Sequence, residues 1–279
     1  MSDYCTLAVA NPFKSPVLYL PETTSTMITA RKLAEEGYPS GTIIRTDRQT
    51  AGKGRMPLRS WESPVRESLL CTIILRMPMP TGFTLRVGLA VAQTIDTFLP
   101  SAFTTKIKWP NDILSWSFNP KHADQSGKKI AGILCEAEGS FGSPHSILYA
   151  GVGINLFQTR FPTSISHKAT SIALLNQTPP SCDEVMERYL HFLHESLDVA
   201  SWQKSISEKL VYRGETILFQ AGDPEHKTDI EGIIEGIGPS GELIVSPTEQ
   251  SKSKAEEVGI RCDDTGLLHL WSGEIPYPE

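Results

Sequence analysis

The sequence predicts an α+β protein, a mixed or antiparallel sheet with helices on one face, followed by a small β-rich domain. Three observations carry that prediction. Amphipathic helical stretches stand among short runs rich in β-branched and apolar residues. The runs between Thr104 and Leu156 follow one another like hairpins. Beyond about Tyr212 the texture changes to short extended runs broken by glycine turns.

Taken in order, "TTSTMITARKLAEEG" (23–37) reads as a helix: a Ser/Thr cluster opens it, Met27, Ala30 and Ala34 give helical spacing, and Gly37 closes it. "GTIIRT" (41–46) and "SLLCTIILRM" (68–77) read as buried strands. "TLRVGLAVAQTIDTFLP" (84–100) puts Leu85, Leu89, Ala92, Ile95 and Leu99 on one helical face and stops before Pro100. Four extended stretches follow, "TTKIKW", "DILSW", "KKIAGILCEAEG" and "SILYAGVGINL", with the polar "NPKHADQSGKK" between two of them read as a mobile surface hairpin. "CDEVMERYLHFLHESLD" (182–198) is amphipathic through Met186, Leu190, Leu193 and Leu197. In the tail, "ETILFQ", "DIEGIIEGIGPSGELIVSP" and "GLLHLWSGEI" read as strands, "GPSGEL" as a tight turn, and "TEQSKSKAEEVG" as the least ordered part. The division expected is a main domain over 1–211 and a small β-barrel over 212–279.

The totals narrow the function classes. A chain of 279 residues with 39% hydrophobic content can bury one large core and one small one. Its longest apolar runs fall far short of the roughly 20 residues that span a bilayer. "MSDYCTLAVANPF" has an aspartate and no cation ahead of a short apolar stretch, so it fails as a secretory signal and a cytoplasmic location is expected. Five widely spaced cysteines without a C-x-x-C pair read as reduced thiols. A net charge of −6 without a basic block argues against broad nucleic-acid binding.

Four stretches could carry chemistry. "RQTAGKGRM" (48–56) combines two glycines with cations, a composition whose backbone N–H groups and side chains can wrap an anion; it is neither a Walker A loop nor a dinucleotide G-x-G-x-x-G. "KWPND" (108–112) is good turn chemistry at Pro110-Asn111-Asp112, which leaves its tryptophan unexplained. "KKIAGILCE" (128–136) sets Lys129 ahead of a buried strand in which Gly132 lets another group approach the backbone. "GVGINL" (151–156) has Asn155 as its one polar side chain. Taken singly, each also has a structural reading: a flexible glycine turn, a strand-flanking lysine in solvent, or a kinked core strand.

Together, in this order and spacing from about Glu22 to Asn155, the motifs resemble those of biotin protein ligases. The resemblance implies a catalytic domain like that of class II aminoacyl-tRNA synthetases, followed by an SH3-like barrel. It implies that Ser25 and Thr26 of "TSTM", with Gln49, meet the biotin head group. The loop Gly52-Lys53-Gly54-Arg55 would close over biotin and the activated intermediate, Arg55 holding the anhydride. Trp61 would pack near adenine and Trp109 under the site, while Asn111 and Asp112 would face the nucleotide and its metal. Lys129 would contact the biotin carboxylate and the α-phosphate, Gly132 and Gly151 would line the biotin slot, and Asn155 would face the nucleotide. Two departures stand out. Lys53 replaces the usual first arginine of the loop, keeping the charge and losing the bidentate fork, and Met56-Pro57 stands where many members have a cation or a glycine.

The activity implied is ATP-dependent formation of biotinyl-5'-AMP, then transfer of biotin to a lysine of a biotin carboxyl carrier domain. Lys53, Arg55 and Lys129 would act as the catalytic cations, and Mg²⁺ would sit with Asp112 as its protein residue. About twenty residues precede Ser25, too few for the winged helix-turn-helix of many bacterial relatives, so DNA is not an expected partner, and the short apolar runs make a membrane none either. A homodimer stays open, since relatives include monomers and dimers. Two other readings stay open as well: a lipoate or octanoate acyltransferase of the same fold, and a protein that holds biotin or biotinyl-AMP without transferring it.

Overall fold

The computed structural model describes residues 4–56, 59–139, 143–222 and 227–277. The larger of its two sheets is built from β1 (Cys5–Thr6), β2 (Val17–Thr23), β3 (Ile43–Gln49), β4 (Ser68–Arg76), β5 (Phe103–Lys108), β6 (Asp112–Ser117), β7 (Lys129–Glu138) and β8 (Ile147–Asn155). Their spatial order is β1-β2-β3-β4-β8-β7-β6-β5. Only β2 and β3 run parallel, and all other neighbours are antiparallel. The sheet is therefore mixed, as expected.

The central strand β4 is buried over eight consecutive residues, Ser68 to Leu75, a pattern that requires cover on both faces. Alternate residues supply it. Leu69, Cys71, Ile73 and Leu75, with Leu148, Ala150 and Val152 of β8, share one core with α2 (Phe83–Asp96) and α4 (Cys182–Asp198). Ile44, Ile74 and Tyr149 face the other way, onto Met27, Ala30 and Leu33 of α1 (Thr26–Glu35). The expectation of helices on one face is thus corrected, because α1 covers the opposite side. Short helices α3 (Ile172–Leu175) and α5 (Trp202–Lys209) complete this part. The N-terminus of α4 carries a capping box between Ser181 and Glu184. Its C-terminal carbonyls are met by the buried Arg86, which donates to Ser196 O at 2.6 Å and Val199 O at 2.9 Å.

The second sheet is antiparallel, order β12-β11-β10-β9, from β9 (Thr216–Gly222), β10 (Lys227–Ile237), β11 (Leu243–Pro247) and β12 (Leu268–Leu270). Two sequence expectations are corrected here and in the first sheet. "TEQSKSKAEEVG" contains helix α6 (Glu249–Glu257), capped by the Thr248 side chain accepting from Ser251 N and held down by Ser251 Oγ, which accepts from Glu231 N at 2.8 Å. "NPKHADQSGKK" contains a 3₁₀ helix over Pro120–Gln125, whose Asn119 side chain accepts from Lys121 N at the N-cap. Within the second sheet, His269 lies between two carboxylates, with Nε2 3.0 Å from Asp263 Oδ2 and Nδ1 3.4 Å from Glu242 Oε1.

Trp109 joins the two sheets. Its ring is 3% exposed, its Nε1 donates to Gly241 O at 3.0 Å, and it packs against Phe219 of β9 with ring centroids 5.9 Å apart. Gly241 has φ of +98°, and a Cβ there would come within 2.9 Å of the Gly82 backbone, so glycine is what allows this close approach. Among the described residues, no helix is long and apolar enough to cross a membrane.

Candidate functional site

A cavity of about 130 Å³ collects residues from the N-terminus of α1, the end of β3, the glycine loop, the β5–β6 turn and the facing strands β7 and β8. It has two chemically distinct ends. At the neutral end, Gln49 Oε1 accepts from Thr26 N at 2.8 Å and from Thr26 Oγ1 at 3.1 Å, and Thr72 Oγ1 donates to Thr26 Oγ1 at 2.8 Å. Ser25 stands at the N-cap position of α1 without a side-chain cap hydrogen bond, and it lines the cavity. A Cβ at Gly151 would come within 3.0 Å of Met27 Cε and 3.5 Å of Thr72 Oγ1, so glycine keeps this end open.

The other end is charged. Lys53, Arg55, Arg59, Lys108 and Lys129 line it, together with Asp112 and Glu274. Lys129 Nζ lies 2.5 Å from Asp112 Oδ1, an ion pair between neighbouring strands β6 and β7. The other oxygen, Asp112 Oδ2, accepts from the Tyr277 phenol at 2.9 Å. Arg59 makes a two-pronged contact with Glu274 at 2.7 and 2.9 Å, and Arg55 Nη2 donates to Gly273 O at 2.8 Å. Burial lowers the Arg55 pKa, with Glu274 and Asp112 opposing it. Burial likewise brings Lys108 down to about 8, again opposed by Asp112 and Glu274.

Trp61 lies between the ends. A Cβ at Gly132 would sit 2.8 Å from its Cζ3 and one at Gly153 2.5 Å from its Cε2, so the ring lies directly on the glycines of β7 and β8. Lys129 Nζ is 5.5 Å from the ring centroid. The indole N–H is buried without a hydrogen-bond partner, a cost that a static ring would carry continuously.

Most residues singled out in the sequence meet here: Ser25, Thr26, Gln49, Lys53, Gly54, Arg55, Trp61, Asn111, Asp112, Lys129, Gly132 and Gly151 all line the one cavity. Asn111 also fastens the turn to β7, its Nδ2 donating to Ile133 O at 3.0 Å. Gly52 stands behind the wall, accepting from Trp61 N at 3.0 Å and leaving no room for a Cβ beside Trp61 O. Asn155 is also off the wall, buried and donating to Thr170 O at 2.9 Å. Met56 lines the cavity, and Pro57 lies outside the described residues.

Sequence reasoning missed Lys108, Arg59, Glu274 and Tyr277. Lys108 hides inside a quoted motif, but strand alternation pairs it with Lys106 as a solvent-facing residue. Nothing local marks Glu274 or Tyr277, whose partners lie 215 and 165 residues away.

The model of the biotin/lipoate A/B protein ligase family matches residues 18–155, the segment that carries both ends of this cavity except for the 273–277 contacts. Residues 18–155 are a domain of that family. The bifunctional ligase/repressor BirA of Bacillus spizizenii is 36% identical over 163 residues, covering 56% of this chain and 46% of the relative; the Bacillus subtilis protein of that name matches equally. The chain thus spans about half the length of the curated relatives it matches. Over 95% of the chain the fold is similar to a biotin protein ligase from Aquifex aeolicus in complex with biotin and ATP, with TM-score 0.69, 24% identity and 98% of that chain covered. A biotin protein ligase from Leishmania major in complex with biotin is similar over 94% of this chain and 100% of its own, with TM-score 0.56 and 19% identity. At these identities the likeness is one of fold. In the family domain found here, the arrangement can seat a neutral hydrogen-bonding group at one end and bring anions together among cations at the other.

Proposed function

We propose that this protein is a biotin-[biotin carboxyl carrier protein] ligase: it activates biotin with ATP as biotinyl-5'-AMP and passes the biotinyl group to a lysine of a carrier domain. The observation that carries the reading is the two-ended cavity. Biotin offers an uncharged ureido head that suits Ser25, Thr26 and Gln49, with Gly151 leaving room for the ring. Its carboxylate would reach the charged end, where the nucleotide phosphates also belong. The Bacillus relatives are named ligase/repressors, and the similar solved structures include one with biotin and ATP, which supports this choice of substrates.

In this reading the carboxylate oxygen attacks the α-phosphorus, the bond to pyrophosphate breaks, and a carrier amine later attacks the mixed anhydride, forming an amide and releasing AMP. Two anions must meet in the first step. Lys129, Arg55 and Lys53 would offset their repulsion and stabilise the charge that develops. Gly52 and Gly54 let the loop backbone come close to the substrates, and Gly132 does the same on the strand. Trp61, Asn111 and Asp112 would border the nucleotide, and Asn155 would support it from behind. Among the described residues no three His, Cys, Asp or Glu side chains gather to hold a metal. Mg²⁺, which is commonly held by one or two carboxylates plus phosphates, would enter with the nucleotide and meet Asp112, whose Oδ2 is occupied only by a neutral phenol. It would supply further neutralisation of the phosphates.

For the architecture, we assign 1–211 to a catalytic domain of the class II synthetase type and 212–279 to an SH3-like barrel. Support for closure of the barrel comes from Glu274 and Gln220, which exchange backbone hydrogen bonds of 2.9 and 3.0 Å and so bring the chain after β12 to the far edge strand β9. The reaction would take place in the cytoplasm.

The test is the intact mass of a purified carrier domain after incubation with this protein, biotin, ATP and Mg²⁺, beside a Lys129→Ala control. A single biotin-sized gain that the control loses is the expected result. No gain, with a competent carrier and biotin still raising the melting temperature, would point to a binding protein. A gain with lipoate or octanoate in place of biotin would assign the other branch of the family.

A further inference from the structure

The carboxylate of Glu274 enters the cavity from the side of the second sheet. Glu274 and Gln220 of β9 exchange backbone hydrogen bonds of 2.9 and 3.0 Å, so the base of the side chain is fixed to an edge strand. Gly273 before it has φ of +130°, and a Cβ there would fall 2.4 Å from Gln220 O and 2.5 Å from Phe219 Cζ. Glycine lets the chain press onto β9 at this point. The Glu274 side chain is 14% exposed, and its two oxygens accept from the two Nη groups of Arg59 at 2.7 and 2.9 Å.

Arg59 carries this grip into the glycine loop. Its carbonyl accepts from Gly54 N at 2.8 Å, Lys53 and Ser60 form an antiparallel bridge, and Trp61 N donates to Gly52 O at 3.0 Å. Gly54, Arg55 and Trp61 line the cavity. The loop is fastened a second time where Arg55 Nη2 donates to Gly273 O at 2.8 Å. Both fastenings therefore end on neighbouring residues that are tied to β9. The Arg59 side chain is more than half exposed, and an ion pair of that kind adds little to the stability of a fold. What a two-pronged contact supplies is geometry: the fork fixes the direction of the guanidinium and, through it, the backbone that bears it.

We propose that Glu274 is a positioning residue for the acyl-adenylate: by holding Arg59 it sets the glycine loop so that Arg55 and Trp61 stay against the bound intermediate, and the second sheet thereby slows its escape before a carrier amine arrives. This rests on the ligase reading above and gives the second sheet a part in it. Glu274 touches no reacting atom in this account; it acts through Arg59. A direct electrostatic role has a different signature. Removing a negative charge beside the phosphate would tighten its hold and removing a positive one would loosen it, so neutral variants of Glu274 and Arg59 would act in opposite directions. Where geometry is what the pair supplies, both variants act in the same direction.

The experiment follows full-length wild type, Glu274→Gln, Arg59→Gln, Arg59→Lys and the variant carrying both glutamines. Radiolabelled biotinyl-5'-AMP is bound to each, unlabelled compound is added in excess, and the dissociation rate is read by rapid filtration. Biotin affinity and melting temperature are measured alongside. Each glutamine variant is expected to release the intermediate about tenfold faster, within the range of coupling between residues in contact. The double variant should match either single one, because the same contact is lost. Arg59→Lys keeps the charge and loses the fork, and should fall between wild type and Arg59→Gln. Affinity for biotin alone should stay, since Thr26, Gln49 and Thr72 at the neutral end are untouched. Opposite changes in the two single variants would overturn the proposal by showing a charge effect, and unchanged dissociation in both would overturn it outright. Carrier labelling by the wild type would leave the ligase reading standing in either case. Equal loss of biotin and intermediate at a lowered melting temperature would also overturn it, by making the pair structural. A wild type that binds no biotinyl-5'-AMP and labels no carrier would overturn both readings together.

Discussion

Tyr277 donates its phenol to Oδ2 of Asp112 at 2.9 Å, so a residue 165 positions away closes the coordination of a carboxylate whose other oxygen is held by Lys129. Burial and the neighbouring Asp112 push the Tyr277 pKa far up, and the hydroxyl stays a donor across the working pH range. Tyr277→Phe keeps the ring on Lys108 and removes this bond. Chemical denaturation should show a loss of about 1.5–3 kcal/mol, the range for a hydrogen bond to a charged partner. The biotin-induced rise in melting temperature should be unchanged.

Lys129→Ala leaves Asp112 with the phenol alone and removes the cation that the ligase reading sets against the reacting anions. Pyrophosphate release in a single turnover should fall at least about hundredfold, the scale found when one preorganised electrostatic contact is deleted. Biotin binding should weaken less than that. A variant that activates biotin at the wild-type rate would place the decisive cation elsewhere.

Gly153→Ala places a methyl group where Trp61 lies, since a Cβ there would be 2.5 Å from the indole. Gly151, two residues earlier, borders the neutral end. The substitution should displace Trp61 and weaken the response to ATP more than the response to biotin, with the sheet still folded by circular dichroism. Gly151→Ala should reverse that order of sensitivity, because its Cβ would meet Met27 and Thr72.

His269 gives a pH dependence with a definite sign. The hydrogen bond to Asp263 raises its pKa, burial opposes this, and Glu242 adds to the rise. A raised histidine pKa means that the folded state holds the proton more tightly than the unfolded chain. The stabilisation is therefore complete below the ordinary histidine value of about 6.5 and is lost as pH climbs through the higher folded value. Melting temperatures of wild type and His269→Gln should differ most near pH ~5.5 and converge above pH ~9. Glu242 sits next to Gly241, whose carbonyl holds Trp109, so the low-pH form should also resist proteolysis between the sheets better.

The neutral end of the cavity was legible in the sequence because its residues announce themselves locally. Ser25 and Thr26 open a helix, Gln49 ends a strand, and the glycines of "GVGINL" interrupt an apolar run. The charged end was only half legible. Lys129 and Asp112 stand in recognisable strings, whereas Tyr277, which covers Asp112, and Glu274, which pairs with Arg59, arrive by long-range closure that no local pattern encodes. Trp109 was set under the site by its motif; its second duty, the bond to Gly241, needed the other sheet to be in place. The errors in secondary structure have the same origin. "TEQSKSKAEEVG" has a weakly apolar face, and its helix depends on Ser251 reaching β10 and on the Thr248 cap. The cover that α1 gives to the second sheet face was hidden because continuous burial of "SLLCTIIL" does not say which helix lies on which side.

Arg55 and Gly273, joined by a 2.8 Å hydrogen bond across 218 residues, also set an order in time for the growing chain. During synthesis all eight strands of the larger sheet are present once β8 has left the ribosome, with residues 156–277, α4 among them, still to follow. At that stage Arg55, Arg59, Lys108 and Asp112 are all present, and none of their partners from residues 273–277 exists. The charged pocket is completed only when residues 273–277 are delivered, so a chain stopped before them would be open at its charged end.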